Sequence, residues 1–279
     1  TRTKSSAASD VYKRQPLGKT STYLEGYDPS LLFPISRSSA REKVGITGVS
    51  DFGQDLWIAY ELSWLNSNGL PISKVLEIRV KHSSAQVVES KSMKLYLNGF
   101  AQSNFDEESE VLETVQRDLE AAFDGELSVS FKERMESRST ASQGRLINLD
   151  RSSVEIKNFN YSKDSLVASS TQRVNERLVT NIFRSLCPVT SQPDWASVLI
   201  EYTGSQIDHD GLLEYLVSYR NHQAFHETTI ERIFADIQSS CNPEQLIVYG
   251  RFLRRGGIDI NPFRSSHDVE PPAFVDWRQ

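Results

Sequence analysis

The feature that most constrains the fold is an internal recurrence. One constant offset lays Tyr96-Leu97 on Tyr215-Leu216, Glu108 on Glu227, Val111 on Ile230, and LSV (127–129) on LIV (246–248). Around these points the order of elements repeats. In the first copy, LWIAYELSWLN (56–66) reads as a strand closed by the turn signal Asn66-Ser67-Asn68-Gly69, and VLEIRVKH (75–82) alternates apolar and polar residues as a half-covered strand does. Helical patterns over 89–102 and 109–123 and a strand over 126–134 follow. After a polar stretch (135–170) come a strand (197–204), helices over 209–221 and 227–241, and a strand over 245–255. Ile230, Ile233, Phe234 and Ile237 share one face of the last helix. The pattern predicts a duplicated α+β unit, two ββααββ-like halves with antiparallel sheets and helices on one face. The expected division is 16–140 and 141–279, with 1–15 read as a disordered or non-native leader because its polar, Ser/Lys/Arg-rich sequence has no periodicity.

Composition narrows the function classes. A net charge of -6 argues against nonspecific binding to nucleic acid or an anionic membrane. No run approaches the roughly 18 apolar residues a membrane helix needs, and the opening residues lack the apolar core of a signal peptide. With only Cys187 and Cys241, a disulfide framework is not expected and a reducing, cytoplasmic setting is the simpler reading. His82, His209, His222, His226 and His267 fall into no metal-ligand spacing, so no metal site is expected.

Four segments carry chemistry. In CPVTSQPDW (187–195), two prolines, Pro188 and Pro193, separate Cys187 from Asp194 and stiffen the loop that holds them. A lone cysteine is usually a small buried hydrophobe, and Cys241, ending an amphipathic helix, fits that description. Cys187 instead lies in a loop before a strand, where a thiolate can attack electrophilic carbon and a nearby carboxylic acid can protonate the heteroatom that gains charge. Phe225-His226-Glu227 opens a helix. Glu227 there either serves the helix dipole or accepts hydrogen bonds from the N–H groups of a heterocyclic base, with His226 supplying a proton. VESKSMK (88–94) opens another helix, where Ser90 and Ser92 are either caps or, with Lys91, a phosphate cradle. Arg254-Arg255-Gly256-Gly257 is either a solvated turn or a place where backbone and guanidinium approach a ligand. No GxGxxG follows a strand, which leaves no Rossmann dinucleotide site.

Together with PLGKTSTY (16–23), YELSWLN (60–66) and RRGGIDINPFRS (254–265), these segments resemble the 7-cyano-7-deazaguanine reductases of queuosine biosynthesis, specifically their long, tandem T-fold type. The resemblance implies an NADPH-dependent conversion of a nitrile to a primary amine through a covalent thioimide. By position it implies Cys187 as nucleophile and Asp194 as acid. It implies Val88, Glu89, Ser90, His226 and Glu227 as substrate contacts, and Ser90, Lys91, Arg255 and Gly256 as cofactor contacts. It further implies a small deazapurine as substrate and a homodimer as the assembly. The competing expectation is a T-fold hydrolase of the GTP cyclohydrolase type, which needs metal ligands that no local pattern here supplies.

Overall fold

The computed structural model describes residues 26–132, 145–274 and 278–279. The proposed leader, the 140/141 division and the end of the strand expected over 126–134 lie outside the described residues. In chain order the elements are β1 (Pro34–Ser36), α1 (Arg37–Val44), β2 (Phe52–Leu65), β3 (Pro71–Lys81), β4 (Gln86–Val88), α2 (Ser90–Gly99), α3 (Glu108–Phe123), β5 (Leu127–Phe131), β6 (Leu146–Asn148), β7 (Ala168–Leu186), β8 (Pro193–Ile207), α4 (His209–Val217), α5 (His226–Cys241), β9 (Gln245–Phe252) and β10 (Ile258–Ser265). No helix among the described residues is long and apolar enough to cross a membrane.

The two copies share one sheet. Its eight strands run β5-β3-β2-β10-β9-β8-β7-β6, antiparallel throughout except for the β6–β7 pair. The seam is β10 against β2, in register from Ile258 opposite Ala59 to Ser265 opposite Phe52. β3 shows why the alternation in VLEIRVKH predicts a strand: Leu76, Ile78 and Val80 are fully buried under the helices, while Glu77 and Arg79 face the other side. Full burial of such a side chain contributes about 1.5–3 kcal/mol. α2 and α3 close one core over β2, β3 and β5, and α4 and α5 close a second over β7, β8 and β9. On the opposite face Leu199, Ile247, Tyr249 and Phe263 form a smaller cluster packed by Phe274.

The expected α+β class with helices on one face holds, and particular elements differ. β7 was not anticipated, because its Ser, Thr, Asn, Arg and Glu content hides a strand of 19 residues paired along β8. β10 follows the Arg254–Gly257 segment directly, and the sequence pattern assigns it no strand. Pro262 is tolerated because β10 pairs with β9 only from Phe263 onward, so no ladder donor is missing on that side. The strand expected to run to 255 stops at Phe252, and Gly256 (φ 59°) and Gly257 (φ 77°) make the two-residue turn that returns the chain into β10. Helix α1 lies in a stretch where the sequence showed no clear periodicity.

The repeat is real, but its register slips by one residue between the helices. Tyr96 donates to buried Asp118 at 2.8 Å, and Tyr215 donates to buried Asp236 at 2.7 Å. α3 and α5 have 16 residues each and end on the left-handed caps Asp124 (φ 47°) and Asn242 (φ 45°). Helix ends and buried aspartates therefore superpose Glu108 on His226, not on Glu227. The chain regains the strand offset because the link from cap to first buried leucine, Leu127 or Leu246, is one residue longer in the second copy.

Candidate active site

Cys187 and Asp194 occupy the two ends of the β7–β8 hairpin. Leu186 pairs with Pro193 and Ser185 with Asp194, so Asp194 belongs to the strand and not to the loop, where the proline pattern had put it. Within the turn, the Cys187 amide donates to the Gln192 carbonyl and the Ser191 amide to the Cys187 carbonyl, both at 2.9 Å. Ser191 takes a left-handed conformation (φ 57°) to allow this. The hairpin is tied to the entry of α5: the Leu186 amide donates to the His222 carbonyl at 2.8 Å, and the Gln223 side chain donates to Ser191 Oγ at 2.8 Å. That bracing fixes the thiol relative to the first turn of α5.

α5 begins one residue earlier than the periodicity suggests, with Phe225 as its N-cap and His226 as its first residue. The His226 ring stacks on Phe252 at 3.9 Å between centroids and 8° between planes. Its Nε2 lies 3.3 Å from Asp194 Oδ1. Arg255 Nη2 stands 2.9 Å from the same oxygen and also donates to the Pro193 carbonyl. Asp194 thus gathers a guanidinium and an imidazole while remaining 4% exposed. Cys187 is half-buried, whereas Cys241 is buried and its thiol is pushed up to about 11 by that burial, which keeps it protonated and unreactive.

The first copy supplies the opposite wall. β4 ends at Val88, and buried Glu89 caps α2 by accepting from the Ser92 amide at 2.9 Å. Glu89, rather than Ser90 or Ser92, is therefore the cap. Ser92 Oγ instead donates to the Glu89 carbonyl and accepts from the Phe33 amide.

These residues line one cleft of about 390 Å³: Val88, Glu89 and Ser90 from the first copy, and Cys187, Asp194, His226, Glu227 and Arg255 from the second. The cleft is built within a single chain. Sequence reasoning missed its apolar walls, Pro188, Phe225 and Ile260, of which Phe225 was signalled only by its place before His226. Gly256 lines a neighbouring cleft of about 300 Å³ with Gly257, Glu61, Lys94 and Asn98. Lys91 lines neither of the two, so the four expected cofactor contacts are not gathered in one cavity.

Behind Glu227 lies a charge network that the sequence did not announce. Asp55 accepts from Arg37 at 2.6 Å and from Arg264 at 2.8 Å, and Glu231 pairs with Arg41 at 2.9 Å. Burial pushes Asp55 up, but Arg264 and Arg37 overcome it and hold the carboxyl below its ordinary range. Among the described residues Glu227 has no such ion-pair partner. Burial, and then the charge of Asp55, push it up, against the opposing pull of His226 and Arg37. The available signal was Arg264, a charge in the inward phase of β10 with Ile258, Ile260 and Pro262.

Known proteins match the chain along nearly its whole length. Residues 23–131 match the family described as nitrile reductase, 7-cyano-7-deazaguanine-reductase N-term, and residues 193–271 match the QueF-like protein family. The NADPH-dependent 7-cyano-7-deazaguanine reductase of Paraburkholderia phytofirmans is 46% identical over 263 residues, covering 93% of this chain and 96% of the relative. The enzyme of that name from Burkholderia ambifaria is 47% identical over 271 residues with the same coverage. A solved structure, the archaeosine synthase QueF-Like in the apo form, covers 37% of this chain at 20% identity and a TM-score of 0.31, a likeness too slight to bear on the site. On the identity and coverage of these relatives, the chain belongs to the 7-cyano-7-deazaguanine reductase family.

Proposed function

We propose that this protein reduces the nitrile of 7-cyano-7-deazaguanine to the aminomethyl group with NADPH, in queuosine biosynthesis, through a thioimide on Cys187. The observation that carries the reading is the meeting of Cys187, Asp194, His226 and Glu227 with Glu89 and Ser90 in one cleft. A nitrile is a poor electrophile, and covalent capture divides one hard reduction into easier steps.

The first step is an addition with nothing lost. The Cys187 sulfur bonds to the nitrile carbon, one π bond of C≡N breaks, and the nitrogen takes a proton. The proton inventory closes if the thiol's own proton is the one delivered. Asp194, ion-paired to Arg255 and beside His226, is placed to receive that proton as a carboxylate and return it to the nitrile nitrogen as an acid. His226, held by Phe252, is the further proton source as the product becomes an amine. Glu227 and Glu89 offer acceptors to the N–H groups of the base, and Val88, Phe225 and Ile260 exclude water.

NADPH supplies the hydride for each of the two reductions. Ser90, Lys91, Arg255 and Gly256 are the residues proposed to hold it. The fit rests on the Gly256-Gly257 turn, where a Cβ on Gly256 would come within 2.7 Å of the Lys94 side chain, and on the cations Arg254, Arg255 and Lys94 around it. A cytoplasmic homodimer is proposed from the resemblance alone, and sedimentation of the purified protein checks the assembly.

The test is mass spectrometry of protein incubated with 7-cyano-7-deazaguanine and no NADPH. An adduct on Cys187 with the full mass of one substrate molecule supports the reading. No adduct, or one on Cys241, sinks it.

A further inference from the structure

Glu231, one turn beyond Glu227 on the same face of α5, is 2% exposed and accepts from Arg41 Nε and Nη2, each at 2.9 Å. Arg264 is fully buried between Asp55 and Glu231, with its Nε 3.5 Å from Glu231 Oε1. Neither Nε nor Nη2 of Arg264 has a hydrogen-bond partner among the described residues. The network therefore sets three guanidiniums, Arg37, Arg41 and Arg264, against two carboxylates, Asp55 and Glu231. Arg41 leans toward solvent at 20% exposure, but the other four are buried, and an unbalanced charge there is costly. Glu227 is the third carboxylate in the same field. Arg264 is raised in part by Glu227, and Arg37 pulls Glu227 down. With Glu227 ionised the group closes at neutrality.

We propose that Arg37, Asp55 and Arg264 are positioning residues for Glu227, their buried ion network setting whether that carboxyl meets the base as a charged acceptor. The proposal rests on the function given above and adds the means by which the first copy of the repeat controls a binding group of the second. Helix α5 packs on β10 and against α1, and β10 pairs with β2; this brings Arg37 of α1, Asp55 of β2 and Arg264 of β10 into the field of Glu227, with His226 and Glu231 on its own helix. Across the cleft stand Glu89, Cys187, Asp194 and Arg255.

Two substitutions at the same aspartate–arginine pair make the test, because a charge-setting role gives them opposite signs. Binding of 7-cyano-7-deazaguanine is measured by calorimetry from roughly pH 4.5 to 8, in a Cys187→Ala background that prevents the adduct. Affinity falls as pH falls through the titration of Glu227, and Glu227→Gln removes that dependence. Asp55→Asn takes away a negative neighbour, so Glu227 keeps its charge to lower pH and the midpoint moves down by about one unit. Arg37→Gln takes away a positive neighbour, and the midpoint moves up by about as much. Between the old and new midpoints each shift reads as up to about a tenfold change in affinity. Arg37→Lys keeps the charge and leaves the midpoint in place. If Asp55→Asn does not fold, Glu231→Gln tests the same sign. Weaker binding with unmoved midpoints, or midpoints all moving one way, overturns the proposal. Failure of the reaction itself shows separately, as a base that binds protein with Cys187 intact but forms no adduct. A base that binds at no pH overturns both.

Discussion

Replacing Asp194 by Asn tests the proposed chemistry most directly, because it changes charge and acidity at almost constant volume. The structural cost is small by the contacts involved. Asp194 loses an ion pair with Arg255 at 2.9 Å, but Arg255 is 35% exposed, and a solvent-screened pair of this kind contributes about 0.5–1 kcal/mol. Part of that is offset because a buried carboxylate no longer has to be held away from water. The melting temperature should therefore fall by no more than about 2–4 °C. The chemical cost is large. An amide can neither receive the thiol proton nor return it, and losing a positioned proton carrier costs roughly a hundred- to ten-thousandfold, about 3–5 kcal/mol in the barrier. Stopped-flow fluorescence or quenched mass spectrometry without NADPH reads the rate of adduct formation directly, apart from hydride transfer. Substrate affinity should be nearly unchanged, since Glu227 and Glu89 remain. Adduct formation at the wild-type rate would refute the assignment and move the proton to His226, whose Nε2 is 3.3 Å from the same carboxyl oxygen.

Cys187→Ser should abolish both adduct and reduction with the fold intact, since a serine hydroxyl is a far weaker nucleophile at neutral pH; intact-mass and turnover assays check it. Glu227→Gln or Glu89→Gln should weaken substrate binding by about 1.5–3 kcal/mol, read by calorimetry, because the amide turns one acceptor into a donor facing ring N–H groups. Arg255→Ala should raise the Michaelis constant for NADPH more than for NADH, if the guanidinium reads the extra phosphate. It should also slow adduct formation, because Arg255 stands on Asp194. Gly257→Ala should lower stability by about 1–2 kcal/mol in chemical denaturation, since φ is 77° and a Cβ there would meet the Glu61 carboxylate carbon at 2.3 Å.

What the sequence disclosed follows from which residues carry local patterns. Strands β3, β8 and β9 and helices α2 to α5 announce themselves because each has one wet and one dry face, or an apolar run bounded by caps and turns. β10 and β7 do not. β10 is buried along its entire length and interrupted by Pro262, and β7 is polar because much of it lies near the sheet edge. The cleft residues were visible one by one, as Cys187 before Pro188 or His226-Glu227 at a helix start, but their meeting was not. It depends on the pairing of β10 with β2, a contact between segments about two hundred residues apart. The network behind Glu227 was hidden for the same reason, since Arg37 looks like an ordinary surface charge and Arg264, though in the inward phase of β10, shows no partner until Asp55 is placed between them.

The duplication explains why the chain needs both copies for one site. Each copy offers a hairpin, a first helix start and a second helix start, but the cleft takes the first helix start of copy one, Val88 to Ser90, with the hairpin and second helix start of copy two, closed by Arg255 and Ile260. The complementary set has other uses. The β2–β3 hairpin is closed by Asn66, whose side chain accepts from the amides of Asn68 and Leu70. Asp208 caps α4 through the Gly211 amide, and Glu108 at the start of α3 pairs with exposed Lys74. These residues turn chains and cap helices, and none of them lines the cleft. Both copies keep the Tyr–Asp bond that locks the helix pair, Tyr96 to Asp118 and Tyr215 to Asp236, because both must fold. Only the second carries the hairpin that places Cys187 and Asp194 in the cleft. A fold built of two similar halves has thereby divided its labour, with packing shared by both and the cysteine-bearing hairpin confined to one, at the seam where the other supplies the wall.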